Sequence, residues 1–359
     1  MNEVYDGIIK YIKLHGYITV DYYMQLIAEY YYGNLKTFGK QNDFITAPEI
    51  SSIFGMTIGK WLINSHFKLN SPQEFCIIEL GSGSGKMLHD ILTYLGDEFL
   101  SKHKITIHII EQSLSLQNLQ LKTLESFKNI TITWHRDLKN LPNLPTIFLA
   151  NEFFDALPIK QYIKQKDNWF EVIIKLNTTS NKLYFTKTDI HSDINNLLKI
   201  KYPLAISNAI AEQSLEALKI FNILCNHLNL NNGAILAIDY GYEYNPKRRV
   251  FFNSTLQTVK AHKFCNLFED IGNADITAHV DFYELINIAK LAKCEVSTSV
   301  TQTKFLLNSG IANIVQQNLV NLSNEEQSKL NFALNRLLSP EEMGSVFRAL
   351  EIYSIVIVI

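Results

Sequence analysis

From Phe75 onward the chain alternates short apolar runs with segments of helical periodicity. The runs are Phe75–Leu80, Ile105–Ile110, Thr131–Trp134, Thr146–Ala150 and Ala234–Ile238. Such alternation predicts an α/β fold with a mainly parallel sheet covered by helices on both faces. Before about Ser71 the pattern is helical, with tyrosine clusters at Tyr22-Tyr23 and Tyr30-Tyr31-Tyr32, a loop from Asp43 to Glu49, and an apolar helix through Trp61. The tyrosines read as packing. Between the last two runs lies a longer excursion, in which Gln161–Ile174 and Lys182–Lys187 alternate as a strand pair and Asn208–Leu228 has helical periodicity leading to Gly233. Farther on, Ser323-Asn-Glu-Glu326 and Ser339-Pro-Glu-Glu342 both match the capping box and predict two helices ahead of a terminal buried strand, Ile355–Ile359. There is no internal repeat and no low-complexity linker.

The first apolar run breaks into three alternating glycines, Gly81, Gly83 and Gly85, immediately before an amphipathic segment. Glycines there let the backbone turn tightly and let a ligand approach the amides that open the next helix. A phosphate loop needs G-x-x-x-x-G-K-[ST], but that spacing lands on Leu80, and Met87 stands where the magnesium-binding hydroxyl belongs. A dinucleotide fingerprint wants G-x-G-x-x-G. Glycines at 81, 83 and 85 instead suit the G-x-G-x-G turn of methyltransferases that use S-adenosylmethionine. The second run ends on Glu111, where a carboxylate can accept hydrogen bonds from ribose hydroxyls. A tight turn without a ligand is the alternative.

Composition sets outer bounds. At 359 residues, 47% hydrophobic and 19% charged, the chain can bury one large core with additions, or two, as a soluble globular protein. A formal net charge of −2 carries no nucleic-acid footprint, and the short basic cluster Lys247-Arg248-Arg249 reads as a solvated loop. Cys76, Cys225, Cys265 and Cys294 are far apart, with no C-x-x-C pair and no histidine at ligand spacing, which argues against structural zinc and a disulfide framework. Residues 1–20 show no secretory or import pattern, and the apolar C-terminus is too short to span a bilayer. The expected compartment is therefore the cytoplasm, and heavy use of Lys, Asn and Ile points to a bacterial source. A homodimer is compatible with this composition but not required by it.

Asn151-Glu152-Phe153-Phe154-Asp155-Ala156-Leu157-Pro158 follows the fourth run and so belongs at the carboxyl edge of the sheet, where open α/β folds bind ligands. Paired carboxylates in that position would suit a cationic substrate. A guanidinium fits best, because its planar fork matches carboxylate oxygens in bidentate geometry. The competing reading is that Asn151, Glu152 and Asp155 cap the next helix. Asp239-Tyr240-Gly241, at the end of the fifth run, either lines a substrate channel or ends a strand.

Taken together, Asp43-Phe-Ile-Thr-Ala-Pro-Glu-Ile50, Glu79-Leu-Gly-Ser-Gly-Ser-Gly85, Asn151-Glu-Phe-Phe-Asp-Ala-Leu-Pro158, Ile238-Asp-Tyr-Gly241 and Ala274-Asp-Ile-Thr-Ala-His-Val-Asp-Phe282 resemble, in order, the motifs of the MidA-like family. Its members include a mitochondrial protein arginine methyltransferase needed for assembly of respiratory complex I. The resemblance runs from about Gly16 to Leu350. Ser82 and Ser84 depart from the Pro and Arg often found inside the turn, as Asn42 does from the Gly before Asp43, but no glycine of the turn is lost.

The resemblance implies a class I, Rossmann-like methyltransferase fold. It implies a helical N-terminal region over 1–70 with a cofactor-lid loop at Thr46, Pro48 and Glu49, then a methyltransferase domain over 71–359. That domain would carry an insertion at roughly 160–232 and substrate-side loops at 240–282, His262-Lys263-Phe264 among them. Cofactor binding falls to Glu79, Gly81, Gly83, Gly85, Glu111 and Asn151, with Asp137 near the adenine. Glu152 and Asp155 would hold the substrate, and His279 with Asp281 would serve as base and orienting partner. No metal is implied. The activity implied is symmetric dimethylation of an arginine in a protein such as a complex I subunit. A non-catalytic assembly scaffold and a methyltransferase with another substrate are the alternatives, and the intact glycines and carboxylates speak against the scaffold.

Overall fold

The computed structural model describes residues 3–34, 46–244, 253–260, 263–319 and 322–355. The chain divides into two compact units. One comprises Leu35–Phe154, Ile220–Glu243 and Val280–Ile359, and the other Met1–Asn34, Asp155–Lys219 and Tyr244–His279. Asp43, Phe44 and Ile45, the basic cluster Lys247-Arg248-Arg249, His262, and the last four residues of the expected terminal strand lie outside the described residues.

The first of these units is built on the strands β1 (Glu74–Leu80), β2 (Lys104–Ile110), β3 (Thr131–His135), β4 (Thr146–Asn151), β5 (Gly233–Tyr242), β6 (Glu295–Val296) and β7 (Phe347–Tyr353). Their spatial order is β6-β7-β5-β4-β1-β2-β3. The five strands from β5 to β3 are parallel, and β7 runs antiparallel to β5. The expected apolar runs each fall within one of these strands. Chain order reverses between β1 and β4, which pair from Cys76↔Thr146 to Leu80↔Ala150. A reversal of this kind opens a crevice outside the carboxyl ends of the two strands.

Alternation along the strands supplies both faces of the core. Ile77, Ile107, Ile147, Leu149, Leu236 and Ile238 join one cluster with Phe54, Ile58, Trp61 and Leu62 of helix α1 (Ser52–Lys68) and Leu88, Ile91 and Leu92 of α2 (Lys86–Lys102). Phe148 points the other way, its ring edge-on to His227 at 5.3 Å between centroids. The two helices approach closely because α1 carries glycines at the crossing. A Cβ on Gly55 would lie 2.6 Å from Asp90 Cβ of α2, and one on Gly59 3.0 Å from Tyr94. The start of α2, and with it the glycine turn that precedes it, is seated by this contact.

The other unit holds the N-terminal helices Glu3–His15 and Val20–Asn34 with an antiparallel sheet of five strands and a second sheet of three. Its core packs Ile8, Ile12, Tyr23, Met24 and Ile27 with Ile159, Val172, Ile174 and Ile276. Tyrosine packing holds here: Tyr23 is fully buried and donates to Leu267 O at 2.9 Å, and the rings of Tyr11 and Tyr22 lie 4.8 Å apart.

Three local expectations need correction. Gln161–Ile174 is two strands, Lys160–Gln165 and Asn168–Asn177, because Lys166 takes a positive φ and closes a two-residue hairpin. Within the expected helix at Asn208–Leu228, Ile210–Gln213 pairs with Lys160–Ile163 as a strand, and the helix α3 (Leu215–Asn231) begins only after Ser214, whose hydroxyl accepts from Ala217 N at 3.2 Å. The Ser323 capping box forms, with Ser323 N donating to Glu326 Oε2 at 2.8 Å. Ser339 instead closes the preceding helix, its amide bonding Asn335 O at 2.8 Å, and the short turn Met343–Val346 that follows has no side-chain cap.

Gly55→Val should lower unfolding free energy by about 1–3 kcal/mol through overpacking at the α1–α2 crossing. Denaturant titration checks this, and an unchanged midpoint would show that the crossing yields freely.

Candidate active site

Three glycines shape the carboxyl end of β1. Gly81, Gly83 and Gly85 have φ of 65°, 53° and 82°, a left-handed backbone that side-chain-bearing residues adopt at a cost. Space is also short at the first, where a Cβ would sit 2.9 Å from the ring of Phe153. Gly85 is the N-cap of α2, and its amide bonds Ser82 O at 2.8 Å. The turn therefore aims unshielded backbone at the crevice, next to the electropositive start of a helix.

Two buried acids flank it. Glu79, on β1, is 2% exposed and accepts from the Ser82 hydroxyl, yet burial pushes its carboxyl up to about 7. Glu111 follows β2. Its Oε1 accepts from Ser113 N at 2.8 Å and its Oε2 from Gln120 Nε2 at 3.2 Å, while burial raises its pKa despite these bonds. Gln120 is fully buried and also donates to Gly83 O at 2.9 Å. The segment after residue 45 touches the same place, since Glu49 accepts from Ser84 Oγ and Ala47 N donates to Glu152 Oε1 at 3.1 Å.

The loop after β4 is shaped from below by a carboxylate. Asp239, on β5 and 0% exposed, accepts from Phe153 N at 3.2 Å and Phe154 N at 3.0 Å through Oδ2, and from Tyr240 N at 3.0 Å through Oδ1. Glu152 has a φ of 50°, unusual for a residue with a side chain, and its amide bonds Ile238 O at 2.9 Å. Asn151 Nδ2 donates to Glu152 Oε1 at 3.2 Å, and Asn151 Oδ1 is buried with no hydrogen-bond partner among the described residues. No helix follows directly. The next regular element is the strand Lys160–Gln165, so Asn151, Glu152 and Asp155 have no helix to cap.

The remaining candidates are placed differently. Asp137 lies in an exposed turn beyond β3, where it accepts from Lys139 N at 2.9 Å and pairs with the Lys139 ammonium at 3.1 Å; the Lys139 bonds lower its pKa. Asp281 is the N-cap of helix α4 (Phe282–Leu291), accepting from Tyr283 N at 3.0 Å. In the other unit Asp155 is buried, its carbonyl accepting from Ala278 N at 2.9 Å. There too, His279 N donates to Thr255 Oγ1 at 2.9 Å, and burial lowers the pKa of its imidazole. Tyr32 donates to Asp275 Oδ2 at 3.0 Å, and burial with the charges of Asp275 and Asp155 holds its phenol protonated.

Sequence reasoning missed Gln120, the bond from Ser84 to Glu49 and the backbone-holding role of Asp239. A signal for Gln120 was available: it lies four residues from both Leu116 and Leu124, an amide in the middle of a buried apolar stripe.

A glycine cradle, a buried carboxylate at the end of the adjacent strand and an unsatisfied carbonyl oxygen on Asn151 fit an adenosine-bearing ligand with an amino-acid tail. The comparisons with known proteins decide which. Residues 57–300 match the family described as "Putative S-adenosyl-L-methionine-dependent methyltransferase". The chain belongs to this family. The mitochondrial protein arginine methyltransferase NDUFAF7 of Xenopus laevis is 31% identical to the enzyme over 97% of its chain and 83% of the relative, and the human one 31% identical over 94% and 80%. Among solved structures, a Burkholderia thailandensis protein bound to S-adenosyl-homocysteine superposes with a TM-score of 0.82 at 24% identity, covering 98% of this chain and 91% of that one. The enzyme is thus an S-adenosylmethionine-dependent methyltransferase with the class I, Rossmann-like fold.

The buried Glu79 gives the methyltransferase a pH signature. Its folded pKa lies above its unfolded value, so the folded state holds the extra proton between them. The contribution to stability is full below about pH 4.5 and is lost as pH rises through about 7. Glu79→Gln should flatten the decline in unfolding free energy across that window, as read by denaturant titrations at several pH values. An unchanged slope would show that Glu79 is ionised in the fold.

Proposed function

We propose that the enzyme methylates an arginine in a protein substrate, forming symmetric dimethylarginine, and that this substrate is a subunit of a respiratory complex such as complex I. The observation that carries this reading is the near full-length similarity to enzymes named protein arginine methyltransferases. The acidic loop after β4 supports a cationic target. The reaction is assigned to the bacterial cytoplasm. No helix among the described residues is long and apolar enough to cross a membrane.

Bound S-adenosylmethionine supplies an electrophilic methyl group on its sulfonium. In the proposed assignment Gly81, Gly83, Gly85, Glu79, Glu111 and Asn151 hold it, and Asp137 borders the adenine end. Glu152 and Asp155, three positions apart, grip the guanidinium through charge-assisted hydrogen bonds and turn one nitrogen toward the methyl group, so that most of the advantage comes from positioning. Guanidinium stays protonated in water, so a proton must leave as the new bond forms. His279 is assigned to take it, because burial favours its neutral form and leaves one ring nitrogen as an acceptor. Asp281 is assigned as the orienting carboxylate in addition to its cap, so its substitution will also disturb α4.

Glu152→Gln should cut methyl transfer by roughly 100-fold or more while S-adenosylmethionine binding persists. The assay uses tritiated S-adenosylmethionine and extract from cells lacking the enzyme, followed by amino-acid analysis of labelled protein. Label in symmetric dimethylarginine supports the assignment. Label in lysine, histidine or a small molecule overturns the arginine, and full activity in the variant overturns the clamp.

A further inference from the structure

Gln120 lies on the helix Leu114–Thr123 and reaches three partners at once. Trp134 Nε1 approaches its Oε1 at 2.9 Å, and an indole N–H can only donate. That contact fixes which end of the carboxamide is oxygen. Nε2 must then face the other two partners, Gly83 O at 2.9 Å and Glu111 Oε2 at 3.2 Å, and both are acceptors. Its two protons match two acceptors. The amide thus ties the middle glycine of the turn to the acid that follows the neighbouring strand. It is packed as well as bonded, since a Cβ on Gly85 would lie 3.4 Å from Gln120 Cα.

We propose that Gln120 is a positioning residue of the cofactor site, holding the Glu111 carboxylate and the Gly83 carbonyl in fixed relation through an orientation set by Trp134. Glu111 has one oxygen on Ser113 N and the other on Gln120, so its plane is set from two sides and its outer lone pairs are aimed. The proposal rests on the reading that Glu111 accepts the ribose hydroxyls. Neither of its near-isosteres does the same. Methionine fills the space but donates nothing, and glutamate keeps the acceptor for Trp134 but turns an oxygen toward two others.

The test is a double-mutant cycle read by isothermal titration with S-adenosylhomocysteine, using wild type, Gln120→Met, Glu111→Gln and the double variant. Each single change should weaken binding roughly 10- to 100-fold, the loss expected for a hydrogen bond to a charged group. The double variant should bind about as weakly as Glu111→Gln alone, because the effect of Gln120 travels through Glu111. Wild-type affinity in Gln120→Met, or losses that multiply in the double variant, overturns the positioning role. Wild-type affinity in Glu111→Gln overturns the reading of Glu111 itself, and the proposal with it. If Gln120→Met does not fold, Gln120→Leu, which likewise donates nothing and adds no charge, serves in the same cycle with the same expectations.

Discussion

The left-handed backbone at Gly81, Gly83 and Gly85 is the constraint on which the site depends. A chain leaving a central parallel strand must change direction within a few residues and begin a helix. Doing so through alternating positive φ values keeps the turn short and leaves its amides uncovered. Everything nearby accommodates that turn. Phe153 fills the space a side chain on Gly81 would need, and Gln120 packs against Gly85. The close seating of α2 on the glycines of α1 fixes the helix that the turn begins.

Electrostatics around the turn follow from burial. Glu79 and Glu111 are both removed from water, and burial raises the pKa of both, opposed by hydrogen bonds that favour the charged form. Asp239 is fully buried and serves the backbone, collecting three amides from the loop after β4 and its own strand. The acids at this sheet edge therefore divide between shaping the loop and facing the crevice. Composition alone could not separate these tasks, because the residue types are the same.

Much of the architecture was legible because strand periodicity and glycine spacing are local signals. The five apolar runs, the turn and the capping box at Ser323 are set by neighbours in sequence. The misread elements are those decided by which backbone groups pair, near or far, and not by apolar periodicity. Ile210–Gln213 is a strand because Lys160–Ile163 lies beside it, and Ser339 ends one helix where its motif suggests the start of another. Asp281 caps α4, a role that its place just ahead of an apolar helix allows and that the sequence reading did not assign. Gln120 has no motif around it. Only the folded chain shows that its amide meets a carbonyl, a carboxylate and an indole from three other segments.

The central claim is that this turn holds the adenosyl cofactor, and calorimetric titration tests it most directly. S-adenosylmethionine and NADH would be titrated separately into the wild-type protein and into Gly83→Val, whose side chain opposes the left-handed backbone. The account predicts that only S-adenosylmethionine binds and that the variant loses it. Binding of NADH alone, or undiminished S-adenosylmethionine binding in a folded Gly83→Val, would contradict it.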